Sequence, residues 1–392
     1  METKGLFLDL YELTMLRAYR AYDMAGEAVF SLFVRDLPPE RNFLIACGLD
    51  EVLTEIEEFR FSADDAAYLS LLGLFPEDFL SNLRQFRFTG DIYALAEGVP
   101  FFANEPILEV VAPIGEAQAL ETLILNRIGL QTLLASKAWR VVTAAGGRRV
   151  VDFGARRAQG GDAAIHGARA FAIAGVGGTS LLSAAARYCL PAVGTMAHSY
   201  IEAFPSEAQA FESFAKIYPE TVLLVDTYDT PQGIKNAIDV AHRLGPDCRL
   251  SGVRLDSGDL LALSRCAREM LDAAGLAQIR IVATGGLNET KVAALVAAGA
   301  PIDIFGVGTD MSVSADAPAL DIVYKLTEYD GVGRMKLSAT KSTLPGRKQV
   351  FRATRNGAAA GDVIASYGEK FEGAPLLAPV MRGGKRLTPR SD

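Results

Sequence analysis

The chain has few of the residues on which many known sites depend. Its 392 residues include three histidines and one tryptophan, and the four cysteines are scattered without a C-x-x-C pair. Such cysteines predict neither a zinc site nor a disulfide framework, so we expect reduced thiols and no metal held by protein ligands alone. A G-x-G-x-x-G sequence after a first strand is also missing, which argues against a dinucleotide-binding sheet.

The chain also lacks an excess of positive charge and a long apolar run. Its formal net charge is −8, with 39 Lys and Arg against 47 Asp and Glu, so it has no general attraction for nucleic acid or anionic membranes. The longest uncharged run, 170–186, is too short and too weakly apolar to cross a bilayer. The first residues lack the features of a signal peptide. We therefore expect a soluble, cytoplasmic protein that binds neither nucleic acid nor membranes.

Short apolar segments alternate with helical segments through the middle of the chain. The predicted strands are 150–153, 222–225, 250–255, 279–283 and 302–305, with a further short strand at 190–193. This alternation is typical of parallel strands joined by helical crossovers and predicts an α/β fold.

Polar and glycine residues follow these predicted strands rather than precede them. In a (β/α) barrel the carboxyl ends of the strands carry the active site, so the bias favours a barrel. An open doubly wound sheet would give the same alternation, and closure of the barrel is an inference. We expect a (β/α) barrel over residues 146–312.

The two ends of the chain predict a second, α+β domain. Residues 6–21 and 116–141 have helical spacing, and 28–34 is strand-like. The segment after residue 313 is mixed, with predicted strands at 335–337 and 349–353, and we expect it to return to the first domain. The predicted domains are 1–145, 146–312 and 313–392.

His198 is the candidate catalytic residue among the few histidines. It lies in the segment 194–199, directly after the predicted strand 190–193, where a barrel keeps its chemistry. The competing interpretation is a core histidine bonded to the backbone. Polar residues recur after neighbouring strands, which favours the catalytic interpretation. His166 and His242 lie in predicted helices, and we expect them to be structural or exposed.

Two glycine-rich turns follow the last two predicted strands. Gly285 and Gly286 form the first, and Gly306, Gly308 and Thr309 form the second. Glycine has no Cβ, so backbone N–H groups in such turns can approach phosphate oxygens. Barrels commonly bind phosphate at these strands, and the two turns therefore predict a phosphate site.

Seven short motifs, in this order, resemble those of the nicotinate phosphoribosyltransferase family over nearly the whole chain. They are LDLYELTM at 8–15, FGARRAQG at 153–160, GTMAHS at 194–199, VDTYD at 225–229, RLDSGDL at 254–260, FGVGT at 305–309 and LPGRKQ at 344–349. The resemblance implies an irregular barrel of the type II phosphoribosyltransferase kind with an α+β sandwich domain. It also implies a homodimer whose active sites are shared between subunits.

The resemblance further implies the reaction and its co-substrates. Phosphoribose would pass from phosphoribosyl pyrophosphate to nicotinate, giving nicotinate mononucleotide for NAD salvage, with ATP hydrolysis driving the reaction and Mg²⁺ bound to the pyrophosphate. His198 would be phosphorylated by ATP and then hydrolysed. A neutral imidazole is a competent nucleophile when one nitrogen is free and the other is held, here by Ser199 or a backbone carbonyl.

Acidic side chains would serve the ribose and the metal. Asp256 and Asp259 flank a turn and suit ribose hydroxyls or Mg²⁺ waters, although helix N-capping is an alternative role. Asp226 would stabilise oxocarbenium-like charge. The residues expected to bind phosphoribosyl pyrophosphate are Arg156, Arg157, Ser257, Asp259, Gly285, Gly286, Gly306, Gly308 and Thr309, although one of the two adjacent arginines could equally form a structural ion pair.

Nicotinate needs a cation for its carboxylate and an aromatic ring against its pyridine. We expect Arg254 to pair with the carboxylate, Tyr11 to stack on the ring and Thr195 to donate a hydroxyl. Thr179, which also follows a predicted helix in the barrel region, completes the expected nicotinate site.

Two kinds of alternative function remain open from the sequence. One is a phosphoribosyltransferase acting on quinolinate, or on nicotinamide, for which Glu12 would supply an acidic neighbour beside Tyr11. The other is a barrel that binds a phosphosugar or nucleotide without turnover. His198 and the paired acidic turns argue against the second.

Overall fold

The computed structural model describes residues 4–245, 249–337, 343–387 and 389. Contacts divide the chain into two compact units. Unit 1 comprises Met1–Leu133 and Ala319–Asp392, and unit 2 comprises Leu134–Pro318. Cys47, Cys189 and Cys266 form no disulfide, whereas Cys248, the fourth cysteine expected to be reduced, lies outside the described residues.

Helices and strands of the described residues are numbered separately in chain order. The helices are α1 Leu10–Ala21, α2 Leu49–Glu58, α3 Ala63–Leu71, α4 Glu77–Leu83, α5 Ile114–Gln118, α6 Glu121–Ala144, α7 Gly161–Ile173, α8 Leu182–Arg187, α9 His198–Glu202, α10 Glu207–Ile217, α11 Thr230–Leu244, α12 Leu260–Ala273, α13 Glu289–Ala297 and α14 Thr309–Ser312. The strands are β1 Glu27–Val34, β2 Leu44–Ile45, β3 Asp91–Ala94, β4 Pro100–Phe101, β5 Leu108–Pro113, β6 Arg149–Asp152, β7 Val222–Leu224, β8 Gly252–Leu255, β9 Arg280–Ala283, β10 Ile304–Val307, β11 Ile322–Tyr329, β12 Val332–Gly333, β13 Lys348–Arg355, β14 Ala358–Ser366, β15 Ala374–Pro375, β16 Ala378–Arg382 and β17 Lys385–Arg386.

Unit 1 is built on a seven-stranded sheet in the order β12-β11-β1-β5-β3-β16-β17. Its inner strand β1, which pairs with β11 and β5, is buried along its length after Glu27, because side chains on both faces are covered. Phe30 of β1 stacks on Tyr324 of β11 with ring centroids 4.9 Å apart, so the sheet joins strands from both ends of the chain. A smaller sheet, β14-β13-β15, is formed by the C-terminal segment alone.

Unit 2 contains a parallel five-stranded sheet in the order β6-β10-β9-β8-β7. Single parallel bridges extend the order beyond β6, from Asp152 to Thr179 and from Thr179 to Ala192. The chain is therefore a mixed α/β protein. Among the described residues no ladder joins the segment at Ala192 to β7. A closed barrel thus stays a prediction.

The helices that follow three of these strands begin with side-chain caps. Asp229, Asp259 and Asn288 accept hydrogen bonds from the backbone N–H groups of the first turns of α11, α12 and α13, respectively. Such caps satisfy donors that a helix start leaves unpaired, and they fix where each helix begins.

Three predictions from the sequence are wrong in detail. The predicted helix 116–141 is divided into α5 and α6, and no strand forms at 335–337, where Met335 and Leu337 are exposed. The predicted buried strand at 190–193 is a single bridge at an exposed Ala192. Pro191 has no N–H to donate, which prevents a regular ladder there. In the described part of the chain, no helix has the length and apolar character needed to cross a membrane.

Candidate active site

Polar side chains of unit 2 gather where its parallel strands end. Asp152 ends β6, Asp226 follows β7, Asp256 follows β8 and Thr284 follows β9. Parallel strands end at the same edge of a sheet, so these side chains are brought together. We take this edge as the candidate active site.

Asp226 links two of these turns. The residue is buried, and its Oδ2 accepts hydrogen bonds from the backbone N–H of Asp256 at 2.9 Å and from the hydroxyl of Ser257 at 2.6 Å. Its Oδ1 is buried and has no hydrogen-bond partner among the described residues. An unpartnered buried carboxylate oxygen is costly, so a ligand that supplies a donor or a cation would stabilise it.

Asp256 is held from two sides and presents one oxygen to the site. The hydroxyl of Thr284 donates to its Oδ1, while its own N–H donates to Asp226. Its Oδ2 lies 3.9 Å from Nε2 of His198, and its side chain is 38% exposed. A ligand can therefore reach the carboxylate that the structure has fixed in place.

His198 is the first residue of α9, and both ring nitrogens have polar neighbours. Nδ1 lies 3.1 Å from the hydroxyl of Thr227, and Nε2 faces Asp256. Thr227 therefore takes the position that the sequence suggested for Ser199, which is exposed. The sequence does not pair Thr227 with His198, because 29 residues separate the two and only the fold brings them together.

Arg254 of β8 is partly satisfied by the protein. Its Nη2 donates to the backbone oxygen of Met196 at 3.2 Å, and its Nε is buried without a partner in the described residues. Burial lowers the pKa of Arg254, while the charges of Asp256 and Asp226 act in the opposite direction. The guanidinium keeps an unused donor, which suits an anionic ligand.

Thr179 is bonded within the protein. Its hydroxyl donates to Oδ2 of Asp152 at 2.7 Å and accepts from the N–H of Leu181 at 3.1 Å, and the residue is 1% exposed. Asp152 also accepts from the N–H of Gly154, and burial raises the pKa of its carboxyl. The contacts of Thr179 thus support a role in holding Asp152, and they leave no free hydroxyl for nicotinate.

Asp259 has the capping role that the sequence left as the alternative. Its Oδ1 accepts from the N–H groups of Leu261 and Ala262, both at 3.1 Å. The residue is exposed, so a ligand can still approach the other oxygen. Ser257, by contrast, uses its hydroxyl on Asp226. Thr195 is half-buried, and its hydroxyl accepts from the N–H of Met196.

The expected phosphate-binding residues lie around the ends of β6, β9 and β10. Arg156 and Arg157 are exposed on the short 3₁₀ helix Ala155–Arg157, and Nη1 of Arg156 donates to the backbone oxygen of Phe153 at 3.3 Å. Gly306 lies close to its neighbours, since a Cβ there would be 2.5 Å from the Thr284 methyl group. The glycines at 285, 286 and 308 form the adjoining turns.

The other two histidines lie away from these contacts. His166 is buried in α7, with Nδ1 3.4 Å from the hydroxyl of Tyr188. His242, near the end of α11, lies 3.0 Å from the backbone oxygen of Ala274 through Nε2. Within the ranges that the structure describes, no group of three or more His, Cys, Asp or Glu side chains is arranged to hold a metal ion.

Tyr11 belongs to unit 1, where it lies on α1 and is 44% exposed. Burial and the charges of Glu121 and Glu12 raise the pKa of its hydroxyl, so the phenol stays neutral. Glu12 is buried, and its Oε1 accepts from the N–H of Thr122 at 3.1 Å and from the Thr122 hydroxyl. Glu12 is thus an internal side chain, which weakens its interpretation as a partner for nicotinamide.

Comparisons with known proteins agree with the motif order. The family model for the nicotinate phosphoribosyltransferase N-terminal domain matches residues 6–129, and the nicotinate phosphoribosyltransferase family model matches residues 148–345. A nicotinate phosphoribosyltransferase of Mycobacterium tuberculosis is 54% identical over 383 residues, which cover 98% of this chain and 83% of the relative. A nicotinate phosphoribosyltransferase of Bacillus subtilis is 41% identical, covering 94% of this chain and 77% of that protein.

Solved structures show the same likeness. The crystal structure of human nicotinic acid phosphoribosyltransferase superimposes with a TM-score of 0.87 at 27% identity, covering 97% of this chain and 90% of the human chain. A nicotinate-nucleotide pyrophosphorylase from Pyrococcus furiosus gives a TM-score of 0.79 at 25% identity, covering 99% of this chain and 92% of that chain.

Proposed function

The chain belongs to the nicotinate phosphoribosyltransferase family, and from this premise we propose that it transfers phosphoribose from phosphoribosyl pyrophosphate to nicotinate in an ATP-coupled reaction of NAD salvage. The observation that carries the proposal is the cluster of His198, Asp256 and Asp226 at the strand ends of unit 2. It combines a reachable imidazole with two carboxylates fixed by hydrogen bonds. A binding protein without turnover would have no need for this combination.

In the transfer step, the bond from C1′ of the ribose to pyrophosphate breaks and a bond from C1′ to the pyridine nitrogen forms. Positive charge develops on the sugar as the leaving group departs, and fixed carboxylates stabilise it. Asp226 and Asp256 are the groups we assign to this role, because hydrogen bonds already hold them before substrate arrives. Pyrophosphate departs with the bonding electron pair.

We assign the binding of nicotinate to Arg254 and Tyr11. The buried Nε of Arg254 supplies an unused donor for the carboxylate. Tyr11 supplies a neutral aromatic ring of which nearly half is exposed. Thr195 lies in the same segment as His198 and takes part through its hydroxyl. We leave Thr179 out of the substrate contacts because its hydroxyl is bonded on both sides.

ATP coupling proceeds through His198. One ring nitrogen attacks the γ-phosphorus of ATP, a nitrogen–phosphorus bond forms, and ADP leaves with the electrons of the broken oxygen–phosphorus bond. Water later hydrolyses the phosphohistidine to inorganic phosphate. The 39% exposure of the side chain supports access by ATP. The added charge beside Asp256 would change the affinity of the site for its anionic ligands.

Mg²⁺ fits this site as an ion that arrives with pyrophosphate. The unpartnered Oδ1 of Asp226 and the exposed Asp256 carboxylate are suitable acceptors for its bound waters. When bound, the metal neutralises charge on the leaving group. We assign binding of the substrate's phosphate oxygens to Arg156, Arg157 and the glycine turns after β9 and β10, as the sequence predicts.

Three further elements belong to the proposal. The sheet of unit 2 closes into an irregular barrel, unit 1 is a sandwich domain, and the active enzyme is a cytoplasmic homodimer whose sites use residues of both subunits. The parallel strand order, extended by bridges at Thr179 and Ala192, supports the barrel.

An assay with nicotinate, nicotinamide and quinolinate, each with and without ATP, tests the function. The mononucleotide product should form fastest with nicotinate as the acceptor, with ADP released in step with product. His198→Ala should abolish ATP hydrolysis and phosphoprotein formation while some ATP-independent synthesis survives. Preference for nicotinamide or quinolinate would overturn the substrate assignment, and full coupling in His198→Ala would overturn the role of His198. Ligand binding without any turnover would favour the non-catalytic alternative.

A further inference from the structure

We propose that Thr227 is a positioning residue that fixes the rotational state of the His198 ring and thereby restricts phosphorylation to one ring nitrogen. The inference rests on the proposed phosphorylation of His198. It concerns a residue whose hydroxyl lies 3.1 Å from Nδ1 and for which the sequence suggested no role.

Thr227 is suited to this task because its own position is constrained. It is half-buried and follows Asp226 directly, and the carboxylate of Asp226 is tied to the backbone and hydroxyl of the next strand's turn. The backbone at 226–227 therefore has little freedom to move. A hydroxyl on such a segment selects a ring orientation, whereas one on a flexible loop would follow the ring.

The opposite side of the ring is constrained as well. The hydroxyl of Thr284 holds Oδ1 of Asp256, so that Oδ2 is the oxygen that faces Nε2 at 3.9 Å. His198 is thus placed between a fixed hydroxyl and a fixed carboxylate. The hydroxyl lies next to Nδ1, and the carboxylate lies next to Nε2.

A half-turn of the ring about its Cβ–Cγ bond would lose both interactions. Cδ2 would replace Nδ1 against the hydroxyl, and Cε1 would replace Nε2 near the carboxylate. Carbon atoms accept no comparable hydrogen bond, so the observed orientation is preferred. The 3.9 Å separation at Asp256 exceeds hydrogen-bond length, so the Thr227 contact supplies the larger part of the preference.

A fixed ring orientation determines which phosphohistidine isomer forms. With the ring fixed, ATP meets the same nitrogen in every cycle, and one phosphohistidine isomer accumulates. With the hydroxyl removed, the ring can present either nitrogen, and both isomers form. Phosphorylation should also slow, because only part of the population is oriented for attack.

The test uses the full-length protein incubated with ATP and Mg²⁺, quenched in alkali and examined by phosphorus NMR, which resolves the two phosphohistidine isomers. Wild type and Thr227→Ser should give one isomer. Thr227→Val should give both, with phosphorylation slowed about 2- to 12-fold, the range expected for loss of one hydrogen bond. Thr227→Ala serves as a second variant in case the valine disturbs folding, and melting temperatures check the fold of each.

Ser199→Ala is the matched control, since it removes the exposed hydroxyl of the residue that follows His198. It should keep a single isomer at the wild-type rate. One isomer at an unchanged rate in Thr227→Val and Thr227→Ala would overturn the inference and leave the proposed function standing, as would a mixture in Ser199→Ala. Absence of phosphohistidine from wild type would overturn the ATP coupling of the proposed function and this inference with it.

Discussion

Gly285 lies directly against the backbone carbonyl of Asp256. A Cβ atom on Gly285 would stand 1.7 Å from that oxygen, and the residue has a φ of +85°. Residues other than glycine rarely adopt this backbone conformation, and the space beside the carbonyl is too small even for a Cβ atom. The turn after β9 therefore packs against the turn that carries Asp256 through bare backbone, which makes Gly285 a structural support of the site.

Gly285→Ala should accordingly destabilise the protein and displace Asp256. Gly147→Ala is a matched control, because Gly147 has a φ of +86° but no atom within 4 Å of the place that a methyl group would take. The control should lower the free energy of unfolding by about 1 kcal/mol, from backbone strain alone. Gly285→Ala should cost about 3 kcal/mol or more, since the backbone must also shift. Denaturant titrations measure both, and equal losses would contradict the packing argument.

Arg254→Ala should raise the KM for nicotinate about 10- to 100-fold. The lost charge-assisted hydrogen bond is worth roughly 1.5–3 kcal/mol. Nicotinamide, which has no charge to pair, should suffer less. Steady-state kinetics with both acceptors measure the difference.

Arg249→Ala provides the control for this substitution, because Arg249 is exposed and pairs with Glu220 at 3.0 Å. It should leave both KM values unchanged. Equal losses for the two acceptors in Arg254→Ala would identify a structural arginine that acts through its bond to Met196.

Glu12 should make the stability of the protein depend on pH. Burial raises the pKa of Glu12 from 4.5 to about 7. Since the folded state holds the proton more tightly, the stability this group contributes is complete below pH 4.5 and is lost as the pH rises through 7. The full effect is about 3 kcal/mol at most.

Glu12→Gln removes this titration. The variant should therefore gain stability relative to wild type between about pH 5 and pH 8, as measured by denaturant unfolding at each pH. Burial also raises the pKa of Glu105 to about 7, so only the difference between the two proteins reports on Glu12. Parallel pH profiles would show that Glu12 ionises normally.

Sharing of sites between subunits can be tested by mixing two inactive variants. If Tyr11 serves the partner's site, a heterodimer of Tyr11→Ala and His198→Ala chains contains one site with both residues intact. Random exchange should restore about a quarter of wild-type ATP-coupled activity. Mass spectrometry of tagged chains verifies exchange. Verified exchange without recovery would mean that Tyr11 serves its own chain's site or none.

The sequence predicts the elements of unit 2 well, because buried parallel strands and amphipathic helices each leave a clear periodicity. The strands that became β6 to β10 are found within a few residues of their predicted bounds. The segment at 190–193 forms only a single bridge, and Pro191 within it is the signal in the sequence against a regular strand. The break between α5 and α6 had no glycine or proline to mark it.

The candidate site was predictable in its residue types but less so in its contacts. Asp226 and Asp256 follow from their places after strands, whereas His198 follows a segment that forms only a single bridge. Thr227 lies in the VDTYD motif and Thr284 directly precedes a glycine turn, but nothing in the sequence pairs either threonine with its partner, which lies on another strand. The sequence could not distinguish helix capping from ligand binding at Asp259, because both roles use the same carboxylate.

The position of β1 between β11 and β5 has a consequence for synthesis of the protein. Phe30 pairs with Val110 on one side and with Leu326 on the other. A ribosome delivers the first partner early and the second only after all of unit 2 has emerged. Until then one edge of β1 has no neighbour, although its side chains are destined for the interior. The last quarter of the chain is therefore needed to complete the fold of the first.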